Sequence, residues 1–255
     1  MECYTILPAP VMGGESGLIV VASAEQRAAA IRTMFARIVP RYDLMNRLMT
    51  GGQDVRWRRQ AAALACPAGG SALDLATGTG DLAIELRRQG ARLVVGADFC
   101  EPMLAAAAAK LRTLDITSIR LVAADATLLP FGDGTFDAVA SAFLLRNVVD
   151  LPRCLSEMLR VLRPGGKAVA LELTHLRRGA RLAAFAFYFQ RVVPWLGSLV
   201  SGDRSAYRYL PASLGPFPDA KRLAGLLRSA GFDPVGYRHV GLGALAIHVG
   251  TKTEL

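Results

Sequence analysis

The stretch Leu73-Asp74-Leu75-Ala76-Thr77-Gly78-Thr79-Gly80-Asp81 constrains the fold more than any other part of the chain. An apolar run passes into two closely spaced glycines and then into a helical pattern, so it reads as strand, tight turn and helix start. Gly78 and Gly80 let the backbone bend sharply with no Cβ in the way of a ligand. The first amides of the following helix can receive a ligand's polar end. Taken alone, the motif is equally an ordinary βα turn, and its neighbours decide between the two.

Those neighbours alternate. Helical spacing covers 24–37, ended by Pro40, then 44–49, stopped by Gly51-Gly52, then 54–64. Strand-like runs follow at 72–76, 93–97, 119–123, 136–140 and 167–172, separated by helices at 81–88, 102–111 and 151–162. A helix at 220–230 and strands at 234–240 and 244–250 close the pattern. Strands alternating with helices predict an α/β Rossmann-like fold, a mostly parallel seven-stranded sheet with helices on both faces. Right-handed crossovers put the carboxyl ends of the strands on one edge, where ligands bind. Residues 176–217 break the rhythm. They carry Phe185, Phe187, Tyr188, Phe189 and Trp195 with Arg191 and Pro194 among them, and read as an inserted helical lid or a buried helix pair. The expected organisation is an extension at 1–22 and a single domain over 23–255.

With the glycine-rich turn, acceptor-bearing positions at the ends of three consecutive strands fall where a nucleoside would need them. Asp98 closes the second strand and can take both ribose hydroxyls. Asp125-Ala126 follows the third strand, where an acceptor suits an adenine amine. Dinucleotide binding is the rival, but an acid directly after Gly80 would repel a pyrophosphate. Asp81 is tolerable beside an ammonium and a sulfonium, which points to S-adenosylmethionine.

Bulk properties narrow the field. A 52% hydrophobic composition supports a substantial core and excludes a disordered chain. The net charge of +9 invites a polyanion, yet no dense basic run exists, only pieces such as Arg56-Trp57-Arg58-Arg59. Cys3, Cys66, Cys100 and Cys154 are too scattered for a zinc knuckle or disulfide framework, and three histidines give a metal site little to build on. No metal is expected, and a reducing cytoplasm fits. Residues 1–22 lack the basic start of a secretory signal, and no uncharged apolar stretch is long enough to span a bilayer.

The chain is similar to the ubiquinone/menaquinone biosynthesis C-methyltransferase family from about Met34 to Lys252. The likeness rests on Tyr42-Asp43-Leu44-Met45-Asn46-Arg47, Asp54 through Arg59, the 73–82 loop, Leu129-Pro130-Phe131 and Leu145-Arg146-Asn147-Val148. It continues through Arg163-Pro164-Gly165-Gly166, Ser201-Gly202-Asp203 with Tyr207-Arg208-Tyr209-Leu210-Pro211, Phe217-Pro218-Asp219 and His248-Val249-Gly250-Thr251-Lys252. The resemblance implies a class I S-adenosylmethionine-dependent methyltransferase acting on a ring carbon of a polyprenylated quinol, demethylmenaquinol or the ubiquinone-pathway benzoquinol. It implies a cofactor set of Thr77, Gly78, Thr79, Gly80, Asp98, Phe99, Asp125, Ala126 and Ala142. Tyr42, Arg146 and Asn147 would line the quinol pocket, with Arg146 stabilising a developing quinolate and the other two orienting hydroxyls.

Two positions depart from the family's Ser-Phe-Gly-Leu-Arg-Asn run: Ala142 removes a hydroxyl, and Leu144 adds bulk expected to reshape the quinol pocket. The implied partners are the quinol and, transiently, the inner face of the membrane, with the arginines of 177–191 suited to an anionic interface. A homodimer is left open. Nucleic acid is not an expected partner, because neither an Asn-Pro-Pro-Tyr-like run nor a Pro-Cys follows the fourth strand. Competing readings are a methyltransferase of another lipophilic phenol or sterol, and a non-catalytic partner subunit with this fold. Without the family context Arg146 could be a surface or helix-capping arginine, but Asn147 beside it at a strand's carboxyl end favours function; Tyr42-Asp43 could simply cap a helix turn.

Overall fold

The computed structural model describes residues 24–65, 69–175, 188, 191 and 213–254. The extension at 1–22 and most of the lid at 176–217 lie outside the described residues.

Three helices precede the sheet: α1 (Ala24–Ile38), α2 (Tyr42–Thr50) and α3 (Gln53–Ala65), with a 3-10 turn, Val39–Arg41, between the first two. Pro40 stands in the first turn of that short helix, where its missing N–H costs nothing, so the chain bends there without unwinding. Gly51 closes α2 in the left-handed conformation, φ 57°. Met34, Ile38 and Met45 form a small apolar core of their own with Phe35, Tyr42 and Met49.

The sheet follows as β1 (Ser71–Leu75), β2 (Leu93–Asp98), β3 (Ile119–Ala123), β4 (Phe136–Ala142), β5 (Leu162–Leu173), β6 (Phe232–Val240) and β7 (Leu245–Lys252). Between them run α4 (Asp81–Arg88), α5 (Glu101–Thr113), α6 (Leu151–Val161) and α7 (Ala220–Ser229). The strand order is β3-β2-β1-β4-β5-β7-β6. All pairings are parallel except those of β7, which runs antiparallel to β5 and β6. The order reverses between β1 and β4, and a crevice opens above the carboxyl ends of strands at such a switch point.

Strands buried on both faces read as near-continuous apolar runs, and the two faces divide the core. Leu73, Leu75 and Val139 pack with Leu155, Met158 and Leu223 on the α6–α7 side. Ala72, Ala138 and Ala140 pack with Trp57, Leu86 and Val94 on the α3–α4 side. Asp150 and Asp219 accept hydrogen bonds from Arg153 N and Arg222 N, capping α6 and α7.

The expected elements are present with shifted ends. Strand β5 starts at Leu162 rather than 167, because Leu162 still pairs with Phe136 before the register slips to Ala138 with Lys167. Residues 163–166 are the bulge that absorbs the slip, with Gly165 at φ 75°.

Candidate active site

At the switch point the backbone turns left-handed at Ala76 (φ 59°), Gly78 (φ 55°) and Gly80 (φ 88°). Thr77 Oγ1 donates to Asp74 Oδ2 at 2.7 Å, while Thr77 N donates to Ala97 O at 3.0 Å. Gly96 makes room for this, since a Cβ there would stand 2.8 Å from Thr77 Oγ1. Asp74 Oδ1 is buried with no partner among the described residues. Burial pushes the Asp74 carboxyl up to about 7 against the opposing Thr77 bond.

Asp98 lies one strand over. Its Oδ2 accepts from Gly78 N at 2.8 Å and its Oδ1 from Cys100 N at 2.9 Å. Burial lifts its carboxyl above the usual range, and these backbone bonds oppose the shift. Asp98, Phe99, Asp125 and Ala126 line a single cavity of about 270 Å³, together with Leu144, Asn147 and Val148. Asp125 Oδ1 accepts from both Thr127 N and Thr127 Oγ1 at 2.7 Å, which fixes its turn. A nucleoside fits the donor set: an ionised carboxylate offers about four lone-pair sites, and each Asp98 oxygen carries a single backbone donor.

The remaining cofactor residues expected from the sequence sit around this cavity rather than on its lining. The Thr77–Gly80 turn touches it through Ala76 and the Gly78 to Asp98 bond. Thr79 Oγ1 donates to Asp43 Oδ1 at 2.6 Å, so that hydroxyl can only accept from a ligand. Ala142 ends β4 and packs against the α3–α4 side of the core. Glu25 and Ala28 of α1 also line the cavity, a contribution with no local sequence signal.

A second cavity, about 290 Å³, is mostly apolar: Met34, Phe35, Ile38, Tyr42, Met45, Met49, Trp57, Phe143 and Leu245 line it, with Asp54 and Arg146 among them. Arg146 Nη1 donates to Glu172 Oε2 at 2.8 Å, with side-chain exposures of 6% and 1%. Arg146 Nε is buried and has no acceptor among the described residues. Glu172 Oε1 accepts from Leu145 N at 2.6 Å. Burial raises the Glu172 carboxyl, and the Arg146 charge opposes it. The Arg146 and Arg58 guanidinium carbons stand 5.3 and 5.4 Å from the Phe143 ring centroid.

The loop between β4 and α6 is the septum between the two cavities. Phe143 and Arg146 face the apolar one; Leu144 and Asn147 face the Asp98 one. Phe143 makes that alternation possible by taking φ 65°, unusual for a bulky residue, pinned by its N–H to Leu171 O at 2.8 Å and by Asn147 Nδ2 on its carbonyl at 2.9 Å. Two expectations change accordingly. Asn147 does not join Tyr42 and Arg146, because its amide is turned back onto Phe143 O. Leu144 shapes the Asp98 cavity and the adjoining core rather than the apolar one. Sequence reasoning saw Glu172 only as a strand end; the burial that makes it the partner of Arg146 is tertiary.

The ubiE/COQ5 methyltransferase family profile matches residues 21–252. The chain belongs to that family. The demethylmenaquinone methyltransferase of Thermus thermophilus is 50% identical over 222 residues, 86% of this chain and 100% of the relative. The ubiquinone/menaquinone biosynthesis C-methyltransferase UbiE of Geobacter sulfurreducens is 43% identical, covering 89% of this chain and 90% of its own. Among solved structures, phosphoethanolamine N-methyltransferase 2 of Haemonchus contortus, in complex with S-adenosyl-L-methionine, superposes with a TM-score of 0.60 at 16% identity, over 92% of this chain and 61% of that one. The [4+2]-cyclase SpnF gives 0.68 at 20% identity, over 91% of this chain and 97% of its own. A cyclase on the same scaffold shows that the fold alone does not name the chemistry; membership in the ubiE/COQ5 family makes this chain a methyltransferase.

Proposed function

We propose that this ubiE/COQ5 enzyme holds S-adenosylmethionine in the Asp98–Asp125 cavity and a polyprenylated quinol in the apolar one, converting demethylmenaquinol to menaquinol. The observation that carries the assignment of cavities is Arg146: a buried cation on an apolar wall, its Nε without an acceptor among the described residues. Such a group calls for an anionic or phenolic oxygen on an otherwise hydrocarbon ligand.

S-adenosylmethionine, when bound, supplies an electrophilic methyl group. Asp98 and Asp125 would accept its hydroxyl and amine protons, and the start of α4 beyond the glycine-rich turn would receive its carboxylate. The quinol's ring carbon becomes nucleophilic as the neighbouring hydroxyl ionises, and Arg146, 6% exposed, stabilises the oxygen's charge. Arginine stays charged throughout, so the proton leaves to another acceptor. Glu172 keeps the guanidinium on the cavity wall, and Tyr42, on the same lining, orients the quinol. Methionines and aromatics accept the start of the prenyl chain.

No helix of the described residues is long and apolar enough to cross a membrane. The substrate's chain would be met at the bilayer surface, and the exposed side chain of Leu242, 85% accessible, stands on the rim of the apolar cavity. Nucleic acid has no place in this reading, because the cavity beside the methyl-donor site is apolar.

The test is transfer of labelled methyl from S-adenosylmethionine to reduced demethylmenaquinone by the purified protein, with label recovered in the lipid extract. Tight S-adenosylhomocysteine binding with no label in menaquinone would redirect the reading to another lipophilic phenol.

A further inference from the structure

Helix α2 faces two ways. Tyr42 lines the apolar cavity, and its Cε1 would lie 3.9 Å from a Cβ at Gly78. Beside it, Asp43 takes the Thr79 hydroxyl of the glycine-rich turn at 2.6 Å on Oδ1 and the Lys110 ammonium at 2.6 Å on Oδ2. Lys110, on α5, also donates to Asp81 Oδ1 at 2.8 Å. Asp81 Oδ2 accepts from Arg47 of α2 at 2.9 Å, and Arg47 reaches Asp54, which Arg58 holds at 2.6 Å. One chain of alternating charges therefore runs from the glycine-rich turn, round a cavity of about 290 Å³, to Asp54 on the wall of the apolar cavity.

Lys110 is the pivot of that chain. Asp43 and Asp81 both lie within hydrogen-bond reach of its single ammonium, so without it Asp43 would lose its cation and face Asp81 with only Arg47 left on the Asp81 carboxylate. The network is partly shielded from water on the Lys110–Asp81 side, at 24% and 18% exposure, and more open at Asp43, at 37%, so its strength comes from the linked charges rather than from any one pair. Burial works to raise the Asp81 carboxyl, yet the Lys110 bond and charge hold it below the usual range.

We propose that Lys110 is a positioning residue that pins α2 to the glycine-rich turn, so that filling the Asp98 cavity and ordering Tyr42 at the apolar cavity become a single coupled event. Two sites joined through one shared element carry a reciprocal coupling free energy. The proposal rests on the reading above for which ligand takes which cavity.

The experiment is hydrogen exchange of the amides of residues 42–50, with and without saturating S-adenosylhomocysteine, in the natural protein, Lys110→Met, Lys110→Arg and Asp43→Asn. Saturation removes differences in affinity, and protection of β1 and β2 amides reports that the ligand is bound. The expected result is that ligand slows exchange in 42–50 about tenfold in the natural protein and Lys110→Arg, and less than about twofold in Lys110→Met. Asp43→Asn, which keeps the shape and loses the charge, would fall between and carries the test if Lys110→Met does not fold. Undiminished protection of 42–50 in Lys110→Met and Asp43→Asn overturns the proposal, as does its absence from the natural protein. Failure to methylate demethylmenaquinol with the coupling intact would instead fault the assignment of the quinol.

Discussion

Arg146 and Glu172 form a buried ion pair in which Nη1 donates to Oε2 at 2.8 Å, while the other Glu172 oxygen takes the backbone N–H of Leu145. The pair ties the β4–α6 loop to the end of β5 and sets the guanidinium on the wall of the apolar cavity. Glu172 is 1% exposed, so removing its partner leaves a carboxylate stranded in the core. Arg146→Met should therefore destabilise the fold by about 3–5 kcal/mol in urea unfolding. Adding Glu172→Gln should recover at least half of that loss. Equal stability of the single and double variants would refute the pairing. Arg146→Lys keeps the charge but not the planar fork, and kcat should fall roughly a hundredfold with S-adenosylhomocysteine affinity retained.

Asp98 joins the glycine-rich turn to the cavity proposed for the cofactor. Among the described residues its oxygens take backbone donors, Gly78 and Cys100 foremost, and they face the same cavity as Asp125. Hydrogen bonds to a charged acceptor are worth about 1.5–3 kcal/mol each. Asp98→Ala should weaken S-adenosylhomocysteine binding by about tenfold to a hundredfold in calorimetry, with Asp125→Ala milder. Unchanged affinity in Asp98→Ala would place the nucleoside elsewhere.

Asp74 should leave a mark on the pH dependence of stability. Its folded carboxyl is raised from 3.8 to about 7, so the folded protein keeps a proton that the unfolded chain releases. The stability it contributes is then fully present below about pH 4 and is lost progressively as pH rises to about 7, a change of a few kcal/mol. Asp74→Asn imitates the protonated form, and its stability should fall less than that of the natural protein across that window. Parallel pH–stability curves for the two proteins would count against a neutral Asp74.

Leu144, where the family resemblance leads one to expect glycine, is buried at 7% exposure on the Asp98 side of the septum. Leu144→Ala should cost about 2–4 kcal/mol through the space it leaves and weaken S-adenosylhomocysteine binding. The KM for quinol should stay within about twofold, because the apolar cavity does not include this side chain. A shifted quinol KM with normal cofactor affinity would reverse the assignment of the septum's faces.

Much of this was legible along the chain. Strand and helix periodicity, the glycine-rich turn and the acids at the ends of β2 and β3 are local signals, and each depends on residues a few positions apart. They specified a mostly parallel sheet and the edge at which its loops gather, because backbone geometry converts local spacing directly into direction. The facing of Phe143 to Asn147 was not legible. It follows from a left-handed φ at Phe143 and a carboxylate that arrives on the neighbouring strand β5.

The partnership of Asp43 with Thr79 and Lys110 was equally hidden, since it joins α2, the glycine-rich turn and α5 across intervals of 36 and more residues. Sequence alone determined what kind of protein this is, because repeating local patterns are enough to dictate a layered α/β architecture. Tertiary structure alone decided which charges meet and which cavity each loop residue enters, because those depend on burial and distance between segments that no local pattern encodes.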